Sequence, residues 1–141
     1  KGVDYVAEEL NVNEVVLLKG EGFHLDTFFT PALNKDGYIV ALIICEKFLH
    51  PQSKKNLFDY ADDNSIPIFN VPENDTLGTK TQTGKFSVNA LPLPGILLRP
   101  DYFSNPIIDE QLSKLGIKTK ITPTSQFQLS GGSVHCVTNE L

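Results

Sequence analysis

A histidine and an aspartate, His24 and Asp26, are separated by one residue in the segment 23–30, FHLDTFFT. We predict that this segment is a β-strand, in which successive side chains point to opposite faces. His24 and Asp26 would then share one face, about 7 Å apart. An imidazole and a carboxylate so placed could transfer a proton and bind a cation. The simpler alternative is that both belong to the solvated face of an amphipathic strand.

A cysteine, Cys136, follows a pair of glycines near the end of the sequence, in the segment 130–138, SGGSVHCVT. Glycines let the backbone turn sharply and approach a ligand closely. A thiol presented beside such a turn could act as a nucleophile. The alternative is that Cys136 is a small buried hydrophobic residue, which is the most frequent state of a free cysteine.

The base that would activate this thiol is predicted to come from another part of the chain. We expect a strand after Gly132, on which Cys136 and its neighbour His135 point to opposite faces. His135 is therefore a poor candidate for the base, and His24 is the leading one. This hypothesis requires His24 and Cys136 to meet in one pocket.

The other residues with chemical potential are weaker candidates. Cys45 ends an apolar strand and is predicted to be part of the core, and His50 precedes a proline in a connection. Arg99 is the only arginine and could bind a carboxylate or form a surface ion pair. Because the two cysteines lie far apart and outside any CxxC pattern, we predict no metal, no cofactor and no disulfide, and a reducing compartment such as the cytoplasm.

Composition excludes two classes of partner. The net charge is −5, and the 12 basic residues among 141 are scattered, which argues against binding to nucleic acid. No apolar run approaches the roughly 20 residues of a membrane-spanning helix, which argues against a membrane protein. The length suits one globular domain.

The pattern of apolar residues predicts the elements that must position these groups. Helices are predicted over 3–10, 53–61 and 107–115, with a single helical turn over 124–130. Asn105 is the expected cap of the third helix and Pro106 its first residue. The segment 34–37, NKDG, predicts a turn, and Pro31 is expected to end the strand over 23–30. Strands are predicted over 15–18, 23–30, 38–44, 66–69, 86–91, 95–98, 117–121 and 133–140. The result is a mixed α/β fold in which a strand, strand, helix, strand unit recurs about two and a half times, with a period of about 50 residues. Such a repeat does not close on itself at this length, so we expect a part of something larger.

The segments 24–27 and 130–138, in this order, resemble the signatures of the guanidine-modifying enzyme superfamily, which includes arginine deiminases, dimethylarginine dimethylaminohydrolases, agmatine deiminases and amidinotransferases. The strand predicted at 87–90 and the helix and strand at 105–121 also fall where that superfamily has them. The resemblance implies a pentein-like fold, a five-bladed α/β propeller of ββαβ modules. Residues 1–141 would supply the C-terminal portion of a single catalytic domain, partnered by the N-terminal half of the same propeller, and a homo-oligomer is left open.

The resemblance also implies roles for individual residues. Cys136 would be the nucleophile and His24 the general acid and base, while Asp26 and Asn89 would bind the substrate. The expected reaction is hydrolysis at the guanidinium carbon of arginine or a related small compound through a covalent thiouronium. The alternatives are an amidinotransferase and a noncatalytic propeller module that binds a partner. The chain lacks the Glu-Gly-Gly-Asp-like stretch of the superfamily, so this fragment alone would be inactive if those acidic residues lie in an absent half.

Overall fold

The computed structural model describes residues 2–12, 14–22, 24–79 and 81–138. The α-helices in this part of the chain are α1 Gly2–Glu9, α2 Pro51–Asp63, α3 Pro106–Lys114 and α4 Ser125–Gln128. The strands are β1 Phe29–Leu33, β2 Ile39–Ile44, β3 Ile68–Asn70, β4 Leu91–Leu93, β5 Ile96–Arg99 and β6 Lys118–Ile121. The predicted mixed α/β class is confirmed. Within these ranges no helix has both the length and the apolar character needed to cross a membrane.

The strands form two three-stranded sheets, ordered β1-β2-β3 and β4-β5-β6. In each sheet the first two strands are antiparallel, and the third follows a helix and pairs parallel to the second. Each sheet with its helix is therefore a ββαβ module, as predicted. The modules begin at Phe29 and Leu91, a wider spacing than expected, and they meet where Gly95 N donates to Leu33 O at 2.9 Å. The five-bladed closure stays a prediction.

Local sequence signals explain why these elements form where they do. In the turn between β1 and β2, Asn34 Oδ1 accepts the backbone N–H groups of Asp36 and Tyr38, each at 3.0 Å. At the start of α3, Asn105 Oδ1 accepts Ile107 N at 3.1 Å and Pro106 takes the first helical position. These two features were predicted and are confirmed.

The hydrophobic core runs through both modules as one cluster. Strand β2 supplies a buried run over 41–44, and α2 supplies Leu57 and Ala61. The second module contributes Leu97 from β5 and Leu112 from α3 to the same cluster. The residues directly before β1 and β4, Phe28 and Ala90, also belong to this cluster, so the core holds the segments that lead into these strands.

The strand predicted over 23–30 is wrong for most of its length. Residues Leu25–Thr27 form a 3-10 turn, and β1 begins only at Phe29. It then continues through Pro31, which was expected to end the strand. Strand β1 lies at the edge of its sheet, where the missing N–H of a proline is tolerated. Phe23 lies outside the described residues.

Three other predicted strands also differ from the structure. Residues 15–18 are irregular, because no strand pairs with them in the described part of the chain, although Val16 and Leu18 pack against the core as a strand would place them. Residues 86–90 form a buried turn in which Asn89 N donates to Phe86 O at 2.9 Å. After the glycine pair the chain forms a 3-10 turn at His135–Val137 instead of a strand, and residues 139–140 lie outside the described ranges.

Candidate active site

Asn89 joins the two segments that the sequence singled out. Its side chain is fully buried in the turn before β4. Nδ2 donates to Asp26 Oδ2 at 2.9 Å, to the backbone oxygen of Asp26 at 3.3 Å and to Cys136 Sγ at 3.2 Å. In return, Oδ1 accepts Cys136 N and the backbone oxygen accepts His135 N, both at 3.4 Å. One residue therefore holds the Asp26 turn and the Cys136 turn together.

The turn that carries Asn89 is itself fixed by buried hydrogen bonds. Asp75, which is fully buried, accepts Val88 N through its backbone oxygen at 3.0 Å. Its carboxylate accepts Ser104 N at 2.9 Å and Ser104 Oγ at 2.6 Å. Ser87 Oγ donates to the backbone oxygen of Tyr102 at 3.1 Å. These contacts reach into the segment between β5 and α3, so the second module supports the position of Asn89.

The two oxygens of the Asp26 carboxylate have different surroundings. Oδ2 lies 2.9 Å from His135 Nδ1 and 3.4 Å from Cys136 Sγ, in addition to its bond with Asn89. Oδ1 is buried and has no hydrogen-bond partner among the described residues. Asp26 thus has one crowded oxygen and one oxygen whose hydrogen-bonding capacity is unused.

Cys136 is exposed, which excludes its alternative interpretation as a buried hydrophobic residue. The start of its segment is anchored by Ser133, whose Oγ lies 2.7 Å from Thr124 Oγ1, both side chains being buried. Ser133 O also accepts Val137 N at 3.2 Å. Cys45, in contrast, is buried as predicted, and burial raises the pKa of its thiol. The accessible thiol is therefore the one in the glycine-rich motif.

A cavity of about 430 Å³ adjoins these groups. Its size suits a small molecule. It is lined by His24, Leu25, Asp26, Phe29, Thr30, Pro31, Ala90, Pro92 and His135. His24 and Asp26 thus do share one surface, although a 3-10 turn and not a strand places them there. Since Cys136 contacts Asp26, the structure brings His24 and Cys136 to the surroundings of the same carboxylate.

His135 is the residue that sequence reasoning missed. The prediction set it aside because neighbouring side chains alternate on a strand, but the segment is a 3-10 turn. A 3-10 turn has three residues per turn, so consecutive side chains diverge by about 120°. This angle is smaller than in a strand, where neighbours point to opposite faces, and both side chains can reach the same group. His135 and Cys136 accordingly both contact Asp26. The glycine pair, which disfavours a strand, was the available signal.

A negative charge next to the thiol has a chemical consequence. A thiolate on Cys136 would stand beside the Asp26 carboxylate, and like charges at this distance repel. A cation bound beside both groups, either an imidazolium or a cationic ligand, would offset this repulsion. The arrangement suits a ligand that carries positive charge to the sulfur.

The two remaining candidates lie away from the cavity. Arg99 is fully buried, pairs with Asp109 and stacks over Phe103, with 3.9 Å from its guanidinium carbon to the ring centroid. Of the two roles left open for Arg99, the structure shows the binding of a carboxylate, but the ion pair is not at the surface because Arg99 lies at a buried position of β5. His50 is half-buried and precedes the first residue of α2, in a connection as predicted.

Neither a protein-family model nor a curated protein sequence matches the chain significantly. Solved structures do match. ArgZ, an arginine dihydrolase from the ornithine-ammonia cycle in cyanobacteria, is 24% identical with a TM-score of 0.71 over 96% of this chain and 20% of ArgZ. The N-terminal domain of ArgZ, covalently bound to a reaction intermediate, is 22% identical with a TM-score of 0.66 over 94% of this chain and 44% of that domain. SxtG, an amidinotransferase from Microseira wollei in the saxitoxin pathway, is 14% identical with a TM-score of 0.58 over 96% of this chain and 37% of SxtG.

These neighbours are members of the pentein guanidine-modifying superfamily, and the chain has their fold. The likeness predicted from the two motifs is thereby confirmed at the level of the fold. The chain spans about a fifth of ArgZ and less than half of its N-terminal domain.

Proposed function

We propose that this chain carries the cysteine and histidine part of an active site that hydrolyses the guanidinium group of arginine or a related small compound. One observation carries the proposal. The exposed Cys136 thiol lies 3.4 Å from Asp26 Oδ2, and Asp26 lines a cavity together with His24. A nucleophile, a carboxylate and an imidazole are the groups that this reaction needs.

The carboxylate of Asp26 would bind the substrate. A guanidinium is a planar cation whose N–H groups pair with carboxylate oxygens. Asp26 Oδ1 has no donor among the described residues, and a buried acceptor in that state costs about 1–3 kcal/mol. A guanidinium N–H that reached this oxygen would remove the cost. The apolar cavity residues Leu25, Phe29 and Pro92 suit the methylene chain of an arginine-like molecule.

The first half of the reaction would form a covalent adduct on Cys136. The bound cation favours the thiolate, whose sulfur attacks the guanidinium carbon and forms an S–C bond. His24 donates a proton to one nitrogen of the tetrahedral adduct, and the C–N bond breaks with release of ammonia. A thiouronium remains on Cys136. A covalent intermediate in the N-terminal domain of ArgZ is consistent with such a step.

In the second half of the reaction, His24 would act as the base and Cys136 as the leaving group, and the product would be released. His24, now neutral, takes a proton from water, which attacks the thiouronium carbon. The C–S bond breaks, the thiolate is regenerated and a urea is formed, which is citrulline when the substrate is arginine. An amine in place of water would make the protein an amidinotransferase. We favour hydrolysis because the sequence shows no site for an acceptor amine.

Asn89 would act by holding the other groups. Its side chain is fully buried, so we assign it to the placement of Asp26 and Cys136 and not to direct contact with the substrate. The acidic residues that the superfamily carries in its Glu-Gly-Gly-Asp-like stretch would come from the N-terminal half of the same propeller. An exposed catalytic thiol also requires a reducing compartment, which we propose to be the cytoplasm.

The complete protein that contains this chain tests the proposal. It should be incubated with arginine, agmatine and methylated arginines, and ammonia, citrulline and a trapped adduct on Cys136 should be measured by mass spectrometry. We expect turnover that falls by at least about 10³-fold in Cys136→Ala and in His24→Ala. A wild-type protein that turns over none of these compounds, yet binds a protein partner equally well with and without Cys136, would be a noncatalytic module.

A further inference from the structure

We infer that His135 is a positioning residue for Asp26, and that guanidinium binding requires His135 to be neutral. This inference rests on the proposed function and adds a control on substrate binding. His135 was not assigned to the site by the resemblance of the motifs, and the expected alternation of side chains argued against it.

The contacts of His135 place it between the cavity and Asp26. Its Nδ1 lies 2.9 Å from Asp26 Oδ2, and its ring lines the cavity. Its backbone is held at both ends, because His135 N donates to Asn89 O at 3.4 Å and His135 O accepts Thr138 N at 3.1 Å. Thr138 Oγ1 also donates to His135 O at 2.8 Å. The backbone of His135 is thus held by the fold, and the contact of Nδ1 with Oδ2 places the imidazole beside Asp26.

The two charge states of His135 would act in opposite ways. Neutral His135 can donate its Nδ1–H to Asp26 Oδ2, which orients the carboxylate and leaves its negative charge for a ligand. An imidazolium at the same place forms an ion pair with Asp26 and adds a positive charge to the cavity. The guanidinium would then meet a neutralised carboxylate and a like charge a few ångströms away. Protonated His135 therefore competes with the substrate for Asp26.

Few other charges face this site among the residues that the structure describes. The titratable side chains that line the cavity are His24, Asp26 and His135, and the thiol of Cys136 contacts Asp26. The residues that β1, β4 and the turn before β4 contribute are uncharged. Among these groups the two histidines are the ones whose charge state could control binding of a cation to Asp26, and single variants separate their effects.

The experiment measures kcat and KM for arginine from about pH 5.5 to 8 in the complete protein. His135→Asn keeps an N–H donor near the position of Nδ1 but carries no charge, whereas His135→Leu has no donor. His50→Asn is the matched control, because the third histidine precedes α2 and is not among the residues lining the cavity. His24→Asn tests whether the other histidine of the cavity causes the pH dependence of KM.

In the wild type we expect KM to rise as the pH is lowered, by up to about tenfold per pH unit, since only protein with a neutral His135 binds the substrate. This rise should persist in His50→Asn and in the residual activity of His24→Asn. It should be absent in His135→Asn. His135→Leu should raise KM at every pH, because Asp26 is no longer oriented, and its effect on KM should exceed that on kcat.

A KM profile in His135→Asn that matches the wild-type profile would overturn the inference, as would a His135→Leu variant with wild-type KM. Both outcomes leave turnover of arginine intact and hence leave the proposed function standing. Failure of the proposed function looks different, because wild-type protein would then neither turn over nor bind arginine at any pH, and the inference would fall with it.

Discussion

The thiol of Cys136 and the carboxylate of Asp26 lie 110 positions apart in the sequence, yet Sγ is 3.4 Å from Oδ2. This contact depends on Asn89, which donates to both residues from a fully buried turn. A thiolate on Cys136 would stand next to the carboxylate, and a bound cation would offset the repulsion between the two negative charges. Under the proposed function, the reactive form of the cysteine would appear mainly when a cationic substrate is bound.

The two cysteines should differ in their reaction with iodoacetamide. Cys136 is exposed, whereas Cys45 is 2% exposed. Burial raises the pKa of Cys45, so less of it is thiolate at neutral pH, and the thiolate is the species that is alkylated. We expect Cys136 to be alkylated at least about tenfold faster, as measured by mass spectrometry of peptides over time.

The same measurement has an internal control. In denaturant both cysteines should be alkylated at similar rates, because the difference comes from the fold. Asp26→Asn should accelerate alkylation of Cys136, since it removes the adjacent negative charge. Faster alkylation of Cys45 than of Cys136 in the native protein would contradict the exposure of the thiol.

The elements predicted correctly are those whose signals are local. Helix α3 begins where Asn105 and Pro106 predict it, and the turn between β1 and β2 forms where Asn34 and Gly37 predict it. The alternation of strand, strand, helix and strand was visible for the same reason, because each element buries one face according to its own period. These signals need no knowledge of distant residues.

The errors lie where distant hydrogen bonds decide the backbone. Residues 86–90 are apolar enough for a strand, but Asp75 and Tyr102 bind Val88 N and Ser87 Oγ and hold the segment as a turn. The segment after the glycine pair is likewise tied to Asn89 and becomes a 3-10 turn. His24, Asp26 and Cys136 were found from their motifs, whereas His135 required the true geometry of that turn.

Asn89→Ala should damage both the site and the fold. Its removal leaves Cys136 N without its acceptor and takes a buried donor from Asp26, which should lower the free energy of unfolding by about 1–3 kcal/mol. If the proposed function holds, kcat should fall about 10–100-fold, because the thiol and the carboxylate are no longer held together. Urea denaturation and steady-state kinetics on arginine measure the two effects.

Ser87→Ala is the matched control for this variant. Ser87 is equally buried in the same turn, but its hydroxyl donates to Tyr102 O, away from Asp26 and Cys136. It should lower the free energy of unfolding by about 0.5–1.5 kcal/mol and leave kcat within about twofold. Equal losses of kcat in Asn89→Ala and Ser87→Ala would mean that Asn89 acts only through stability.

Thr124 and Ser133 should be energetically coupled. Their hydroxyl groups lie 2.7 Å apart and are buried, so Thr124→Val or Ser133→Ala alone leaves the other hydroxyl without its partner, at a cost of about 1–3 kcal/mol. In the double variant neither hydroxyl is left, and the total loss should be smaller than the sum of the single losses by about 0.5–3 kcal/mol. Urea denaturation of the four proteins gives this coupling energy. Additive losses would mean that the hydroxyl pair does not anchor the Cys136 turn.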